Sequence, residues 1–544
     1  MKSKILLILI IVLAALLRFW NLPNNPPGLT WDEAALGYNA YSLLQTGRDE
    51  YGNFLPVNLK SFGDYKPALY AYLDIPMVAI FGLNELAVRL PSAIFGVFGV
   101  FGVFLLTEQL FKKRSLSLLA AFFLAISPWH LQFSRPAFEA NVALTLNIFG
   151  VYLFVKGVHR KNLLIPSAIA FGLSLLTYQA SKLFVPIIVS VLMLIYWNKI
   201  EKSKFSIYAL AILISFLLIA GYSFIGGQTS RLSAQNFFAY QRSEDEINLI
   251  LKEDGLNTSS GGFQILHGEW WAYLRGLAER YLIYFSPRVL FIDGDYSQRH
   301  KVPDLGLLYY FSVILIPLGL IHFLRIDGRE TKLLLLWLCV APLPAVLSRD
   351  LISALRGLNM VVPVTMLEAG GLWWLAEKIR GIRGSWGYLG MIMVMMVIGI
   401  NFLVYLDRYF IHAPQEYSKY WLYGYRQALT GIEKQKNNYE KIVISDRYGQ
   451  PYIFYLFYNV YPPKEFQKQA VLDQSTSDVG TVRRIDNVEF RSIFWPGERG
   501  DKKSLFIGSK EELPDQDTIP FPMFTVTDIS YLDGEHAFRV VETK

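Results

Sequence analysis

Along this chain, apolar runs about as long as a bilayer is thick alternate with short polar loops. The runs lie at residues 5–20, 87–111, 115–133, 137–155, 161–178 and 181–197, then at 205–225, 304–324, 331–348, 356–377 and 385–406. Most reach the ~17 residues at which an α-helix begins to cross a hydrocarbon core. The pattern predicts an all-α polytopic membrane protein with about eleven transmembrane helices over residues 1–406. After Leu406 the period changes. Strand-like runs occur at Lys441–Ser445, Val488–Phe494, Ser504–Gly508 and Ala537–Val541, with a helix-like stretch at Gln450–Tyr458 after the first. Residues 407–544 are therefore expected to form a small soluble α/β domain.

Charge parity orients the spans. With the N-terminus inside, every second loop is cytoplasmic, and those loops carry Lys112–Arg114, then Lys156 with Arg160 and Lys161, then Lys199–Lys204, Arg325–Lys332 and Lys378–Arg383. All are basic, as the positive-inside rule requires. Pro67–Gly82 is apolar but short, and it holds Asp74 and Pro76. Counting it as a span would move all those basic loops outside, so it is expected to be re-entrant or interfacial. The loops 21–86 and 226–303 and the domain after Leu406 then lie on the outer face. Met1–Trp20 begins like a signal peptide but lacks a small-x-small cleavage pattern and closes on Arg18, Phe19 and Trp20, so it is expected to be a retained first helix.

Composition narrows the function. With 53% hydrophobic and 18% charged residues over 544 positions, water cannot be the only solvent. The net charge of +7 reflects the basic inner loops, which speaks against nucleic acid as a partner. The single cysteine, Cys339, rules out an intramolecular disulfide or a thiolate metal cluster.

Charged residues in the outer loops beside the spans are the candidates for chemistry. Thr30-Trp31-Asp32-Glu33 reads as a helix N-cap followed by two first-turn acids. It reads equally as a base, Asp32, supported by Glu33, suited to accept a proton from an alcohol. Lys66, just before Pro67, stands where lipid phosphates lie, with Asp64 two positions away. The turn from Ser127 to Asn141 brings in Arg135 and Glu139, a catalytic element or a simple ion pair one helical turn apart. Tyr178, Gln179 and Lys182 form another polar island, and Arg299-His300 and Arg356 add outer cations fit for a phosphate.

These elements, in this order, resemble the GT-C class of membrane glycosyltransferases. The likeness is to the protein O-mannosyltransferase and aminoarabinose-lipid A transferase superfamily, glycosyltransferase family 39-like. It rests on Asp32-Glu33, Lys66-Pro67, Val88-Arg89-Leu90-Pro91-Ser92, Ser134-Arg135 with Glu139, Tyr178–Lys182 and Arg299-His300. The resemblance implies a GT-C transmembrane catalytic unit that moves a sugar from a polyprenyl-phosphate donor to an acceptor hydroxyl, with inversion, on the extracytoplasmic side. Carried over, Asp32 is the base with Glu33 beside it, and Lys66, Arg356, Arg299 and His300 hold the donor phosphate. Asp64, Arg135, Glu139, Tyr178 and Lys182 support the substrate. Asp64 and Glu139 are the candidates should a divalent metal be used, and no other cofactor is implied. The chain departs from the aminoarabinose branch, where an acid directly precedes the lysine, because Tyr65 stands there. It also lacks the β-trefoil insertion of the protein-mannosylating branch. Whether a hexose or a pentose moves, and whether protein, lipid or glycan accepts it, is left open.

A flippase or transporter for a lipid-linked glycan also needs outer cations, but it commonly shows charges or broken helices at the bilayer midplane. An envelope-assembly subunit would leave Asp32, Lys66 and Arg356 without a role. In a Cys339→Ser background, Asn53→Cys should react with a membrane-impermeant maleimide added outside intact cells, whereas Lys161→Cys should not. The reverse labelling would invert the whole assignment.

Overall fold

The computed structural model describes residues 2–200, 203–225, 242–255, 257–258, 260–326, 328–382, 385–473, 480–519 and 521–544. The expected outer segment 226–303 is thus described only from residue 242 onward, and there with gaps at 256 and 259. The chain begins with α1 (Lys2–Phe19) and α2 (Trp31–Thr46), then the strands β1 (Asn58–Ser61) and β2 (Asp64–Pro67). There follow α3 (Leu69–Phe81), α4 (Glu85–Phe111), α5 (Arg114–Ile126), α6 (Pro128–Ser134) and α7 (Glu139–Gly157). Next come α8 (Leu164–Leu175), α9 (Ser181–Tyr196) and α10 (Lys204–Ile225). Each of the apolar runs contains a helix. Among the described residues, five helices are long and apolar enough to cross a membrane, or six if the pair α5–α6, bent by 58° at Ser127, is one span. The others are shorter or more charged. Ser312–Leu324 has 13 residues, about 20 Å of helix against a core of about 30 Å. Helix α3 is equally short, so its 13 residues fall short of a straight crossing.

After the last long helix, Ser385–Asp407, a mixed sheet forms. Its order is β6 (Arg484–Ile485), β7 (Val488–Phe490), β3 (Lys441–Ile444), β8 (Ser504–Gly508), β10 (His536–Thr543) and β9 (Phe524–Ser530). Strand β3 is parallel to both β7 and β8, while β10 is antiparallel to β8 and β9. A separate small ladder joins β4 (Leu472–Asp473) to β5 (Thr481–Val482). The helix Pro451–Tyr458 follows β3, and its residues Pro451–Phe457 are all buried. It shares one hydrophobic core with α2, β1 and α3, so the sheet unit is fastened to the first loop of the membrane unit. Polar links reinforce this. The Tyr38 hydroxyl donates to the carbonyl of Tyr461 at 3.1 Å, and the Gln467 amide to that of Asp49 at 2.9 Å.

The start of the first loop is held by one buried guanidinium. Arg89 of α4 is fully buried, its Nε 3.1 Å from Glu33 Oε1. Its other nitrogens donate to the carbonyls of Leu22 (3.0 Å), Pro26 (2.9 Å) and Gly28. Gly28 itself lies so close to the chain at Trp421–Tyr423 that an added Cβ would come within 2.2 Å of the Trp421 carbonyl oxygen. A guanidinium suits this task because its rigid fork of donors meets several acceptors at once.

Removing one partner of such a pair leaves an uncompensated buried charge. Arg89→Ala should therefore destabilise the protein by about 3–5 kcal/mol. Arg89→Lys, which keeps the charge and loses most of the carbonyl contacts, should fall between it and the wild type. Thermal unfolding of the purified protein in detergent checks this, and an unshifted Arg89→Ala midpoint would remove the clamp from the account.

Candidate active site

Thr30 caps α2. Its Oγ1 accepts from the Glu33 amide at 3.2 Å, and Glu33 Oε2 accepts from the Thr30 amide at 3.0 Å, a reciprocal capping box. Glu33 Oε1 also accepts from the backbone amide of Ala137 at 3.0 Å. Both oxygens of Glu33 are thus occupied by the cap, Arg89 and Ala137. Glu33, expected beside the base as its support, lines the cavity wall with both oxygens engaged in holding the loop. Asp32, one position earlier, is the half-exposed acid of the pair. The cap and the exposed acid are thus two adjacent carboxylates.

Asp32 faces a cavity of about 480 Å³. Its walls come from five separate stretches of chain: Thr30–Glu33, Tyr65–Pro67, Ala137–Glu139, the turn Thr177–Leu183, and the stretch Pro344–Arg356. Lys66 makes an ion pair with Asp32 Oδ1, and its ammonium also stands 5.2 Å from the centre of the Phe62 ring. Glu139 lines the same space and lies within electrostatic reach of both Lys66 and Asp32. On the far wall, Arg356 pairs with Asp350, and its Nη1 donates to Ser348 Oγ at 3.1 Å. Tyr178 lines the cavity within electrostatic reach of Arg356.

Two local structures aim these groups. Lys66 sits in β2 of a hairpin, paired with Leu59, rather than at the start of an interfacial helix, and the helix begins only at Leu69. The hairpin is tied to the turn after α8, where the Gln179 amide donates to the Tyr65 carbonyl at 3.1 Å and the Leu69 amide to the Leu176 carbonyl at 3.2 Å.

Several expected site residues lie elsewhere. Arg135 is buried, donating to the carbonyls of Arg18 (3.2 Å), Trp20 (2.7 Å) and Asn25 (3.0 Å), and it lies against the rings of Tyr409 and Phe410. It fastens the end of α1, and neither the expected substrate contact nor an ion pair with Glu139 describes its surroundings. His300 is held by Asp295 at 3.2 Å and lies against the rings of Phe133 and Phe138, outside the cavity lining. Burial raises the Asp295 carboxyl, but hydrogen bonds from His300 and from the amides of Ser297 and Ala354 outweigh it and hold the group below its ordinary range. The Arg299 guanidinium stands 5.3 Å from the centre of the Trp31 ring, and its carbonyl accepts from Gln132. It is a neighbour of the site and does not line it. Lys182 is likewise absent from the lining, while Gln179, Ala180 and Leu183 belong to it. Asp64 occupies the first position of β2, opposite Ser61. Its side chain lies outside what is described. Among the described residues, no group of three or more His, Cys, Asp and Glu side chains stands together as a metal site.

Sequence reasoning missed Ser348 and Tyr65 as parts of the site. Only the uncommon acids and bases of the outer loops were a signal. A serine or a tyrosine carries none until its partner is known.

Residues 65–222 match the family model described as dolichyl-phosphate-mannose-protein mannosyltransferase. Comparison with curated protein sequences returns no match. Among solved structures, ArnT from Cupriavidus metallidurans in the apo state is similar with a TM-score of 0.54 at 12% identity, over 100% of this chain and 98% of that one. The same protein bound to undecaprenyl phosphate is similar with a TM-score of 0.53 at 12% identity, over 98% and 97% of the two chains. The oligosaccharyltransferase AglB from Archaeoglobus fulgidus, in complex with an inhibitory peptide and a dolichol-phosphate, has a TM-score of 0.48 at 14% identity. That match covers 84% of this chain, and the chain spans 63% of AglB's length. At such identities the likeness to ArnT establishes the fold alone, and the looser AglB superposition adds nothing to it. The matched segment is thus similar to that mannosyltransferase family, the whole chain shares its fold with ArnT, and its apolar helices fit a multi-pass membrane protein.

Proposed function

We propose that the chain is an inverting glycosyltransferase that moves a sugar from a polyprenyl-phosphate donor to an acceptor hydroxyl at the extracytoplasmic face of the membrane. The orientation comes from the basic loops, and about eleven spans and an outward-facing 407–544 unit follow from the same parity. The observation that carries the reading is that Asp32, Lys66 and Arg356, drawn from three distant stretches of sequence, line one cavity. A carboxylate with two cations across a small space is what a single displacement at a sugar phosphate needs.

In that displacement the acceptor oxygen attacks the anomeric carbon while the bond from that carbon to the phosphate oxygen breaks. Asp32 takes the proton of the attacking hydroxyl. The electron pair leaves with the polyprenyl phosphate, whose growing charge is met by Lys66 and Arg356. Lys66 pairs with Asp32 in the structure. An arriving phosphate competes for that ammonium, and as the contact loosens the carboxylate turns to the acceptor. Asp350 and Ser348 hold the Arg356 guanidinium on the far wall. Tyr178 and Glu139 shape the space between. Undecaprenyl phosphate, bound by ArnT, is the natural probe for the donor lipid.

Asp32→Asn should lower transfer by about a hundredfold to ten-thousandfold, the usual worth of a general base, with undecaprenyl phosphate binding retained. Turnover assays with lipid-linked sugars, run beside a binding assay, read both quantities. Full activity in Asp32→Asn together with a comparable loss in Glu139→Gln would move the base to Glu139.

Lys66→Ala and Arg356→Ala should each weaken undecaprenyl phosphate binding by roughly 1.5–3 kcal/mol, the range for a hydrogen bond to a charged group. Titration of the purified variants measures it. Unchanged affinity in both would put the phosphate elsewhere.

A further inference from the structure

Outside the cavity, the first loop holds a fully buried carboxyl, Glu50, for which the reaction above has no use. It is 0% exposed, as is Asn39 of α2, and Ser61 at the end of β1 is 2% exposed. The three form a closed knot. Ser61 Oγ donates to Glu50 Oε1 at 2.7 Å, the Glu50 amide donates to Asn39 Oδ1 at 2.9 Å, and Asn39 Nδ2 lies 3.3 Å from Ser61 Oγ. Asn39 stands two helical turns beyond Asp32 on the same helix, and Ser61 ends the strand whose hairpin partner carries Lys66. The knot therefore ties the helix of Asp32 to the hairpin of Lys66.

A third element closes over it. The Tyr51 and Tyr452 hydroxyls meet at 3.1 Å, the Tyr452 ring packs edge-on to Phe62 at 5.9 Å, and the Gly480 amide donates to the Phe62 carbonyl at 2.7 Å. The sheet unit thus grips the hairpin tip beside Glu50. The titratable groups facing Glu50 are Tyr38 from α2, Asp49 and Tyr51 from its own loop, Tyr452 from the helix Pro451–Tyr458, and Lys66 from β2. Glu50 Oε2 is buried with no hydrogen-bond partner among the described residues.

We propose that Glu50, in its neutral form, is the positioning residue that holds the hairpin, and with it Lys66, in register with Asp32. The link to phosphate binding rests on the function proposed above, whereas the link to the hairpin does not. Burial pushes the Glu50 carboxyl up to about 8, against the opposing hydrogen bond from Ser61. An ionised Glu50 has an unsolvated oxygen in an apolar wall. To relieve it, the hairpin opens to water or the Lys66 ammonium is drawn back toward it, and either movement withdraws Lys66 from the cavity.

The test uses the full-length protein in detergent, with undecaprenyl phosphate as the probe, from pH 6 to 10. Wild-type affinity should fall by about tenfold through a step near pH 8, as expected for losing one charge-assisted contact. Glu50→Gln, which mimics the neutral acid, should keep the low-pH affinity and lack the step. Ser61→Ala removes a donor to the carboxylate, so its step should move to higher pH. Steps that coincide in all three proteins overturn the proposal.

Thermal midpoints give a second readout that needs no ligand. A carboxyl raised in the folded state takes up a proton on folding, so its stability contribution falls as pH rises from the unfolded value toward 8 and then levels off. Wild type should lose stability relative to Glu50→Gln across that window. If no protein binds undecaprenyl phosphate, the donor reading fails while this comparison still decides the role of Glu50, and parallel midpoints refute it.

Discussion

The contact on which the site depends is the buried pair between Arg89 of α4 and Glu33 of α2. Neither charge could stay inside alone, because the desolvation of a single ion exceeds what a few neutral contacts return. Together they use nearly every donor and acceptor they have, on each other and on the backbone of Leu22, Pro26, Gly28, Thr30 and Ala137. The start of the first loop is thereby pinned to α4 and to the turn before α7. Asp32 follows from this constraint: with Glu33 turned inward, its neighbour on the first helical turn faces the cavity.

The same device recurs nearby. Arg18 of α1 reaches the carbonyls of Ala14 (3.0 Å) and Ala125 (3.2 Å) and stands 2.6 Å from His130 Nδ1. Arg135 collects the carbonyls at the end of α1. Arg18 at Ala125 and Arg135 at Leu17 meet carbonyls at the end of a helix, where the last carbonyls lack intrahelical partners. Fixed polar contacts thus order the start of the first loop beside the hydrophobic core it shares with the sheet unit. These contacts stand beside a cavity assembled from five short stretches of sequence.

The sheet unit belongs to the same construction. Its helix Pro451–Tyr458 completes the core beneath α2, and its contact at Phe62 bears on the hairpin that carries Lys66. Glu50 sits where the three meet. Acid, lysine and sheet unit are thus mechanically connected through buried groups that touch no substrate, so the geometry of the cavity depends on parts of the chain remote from it in sequence.

Much of this was readable from the chain itself. Apolar runs and basic loops follow from local hydropathy and charge, so the positions of the helices, the break at Pro67–Gly82 and the strands at Lys441, Ser504 and Ala537 needed no tertiary information. Asp32, Lys66, Glu139, Tyr178 and Arg356 stood out because ionisable or polar groups beside membrane spans are costly unless used. What only the tertiary structure decided was which partner each of several similar charges takes and which of them line the cavity. Glu33, Arg135 and His300 look from sequence as eligible as Asp32 and Arg356, yet Glu33 is engaged by Arg89, Arg135 by backbone carbonyls and His300 by Asp295, while Asp32 and Arg356 line the cavity in ion pairs of their own. The length of each helix was undecided for the same reason: where a helix ends depends on the groups that satisfy its last carbonyls, and those groups come from other parts of the chain.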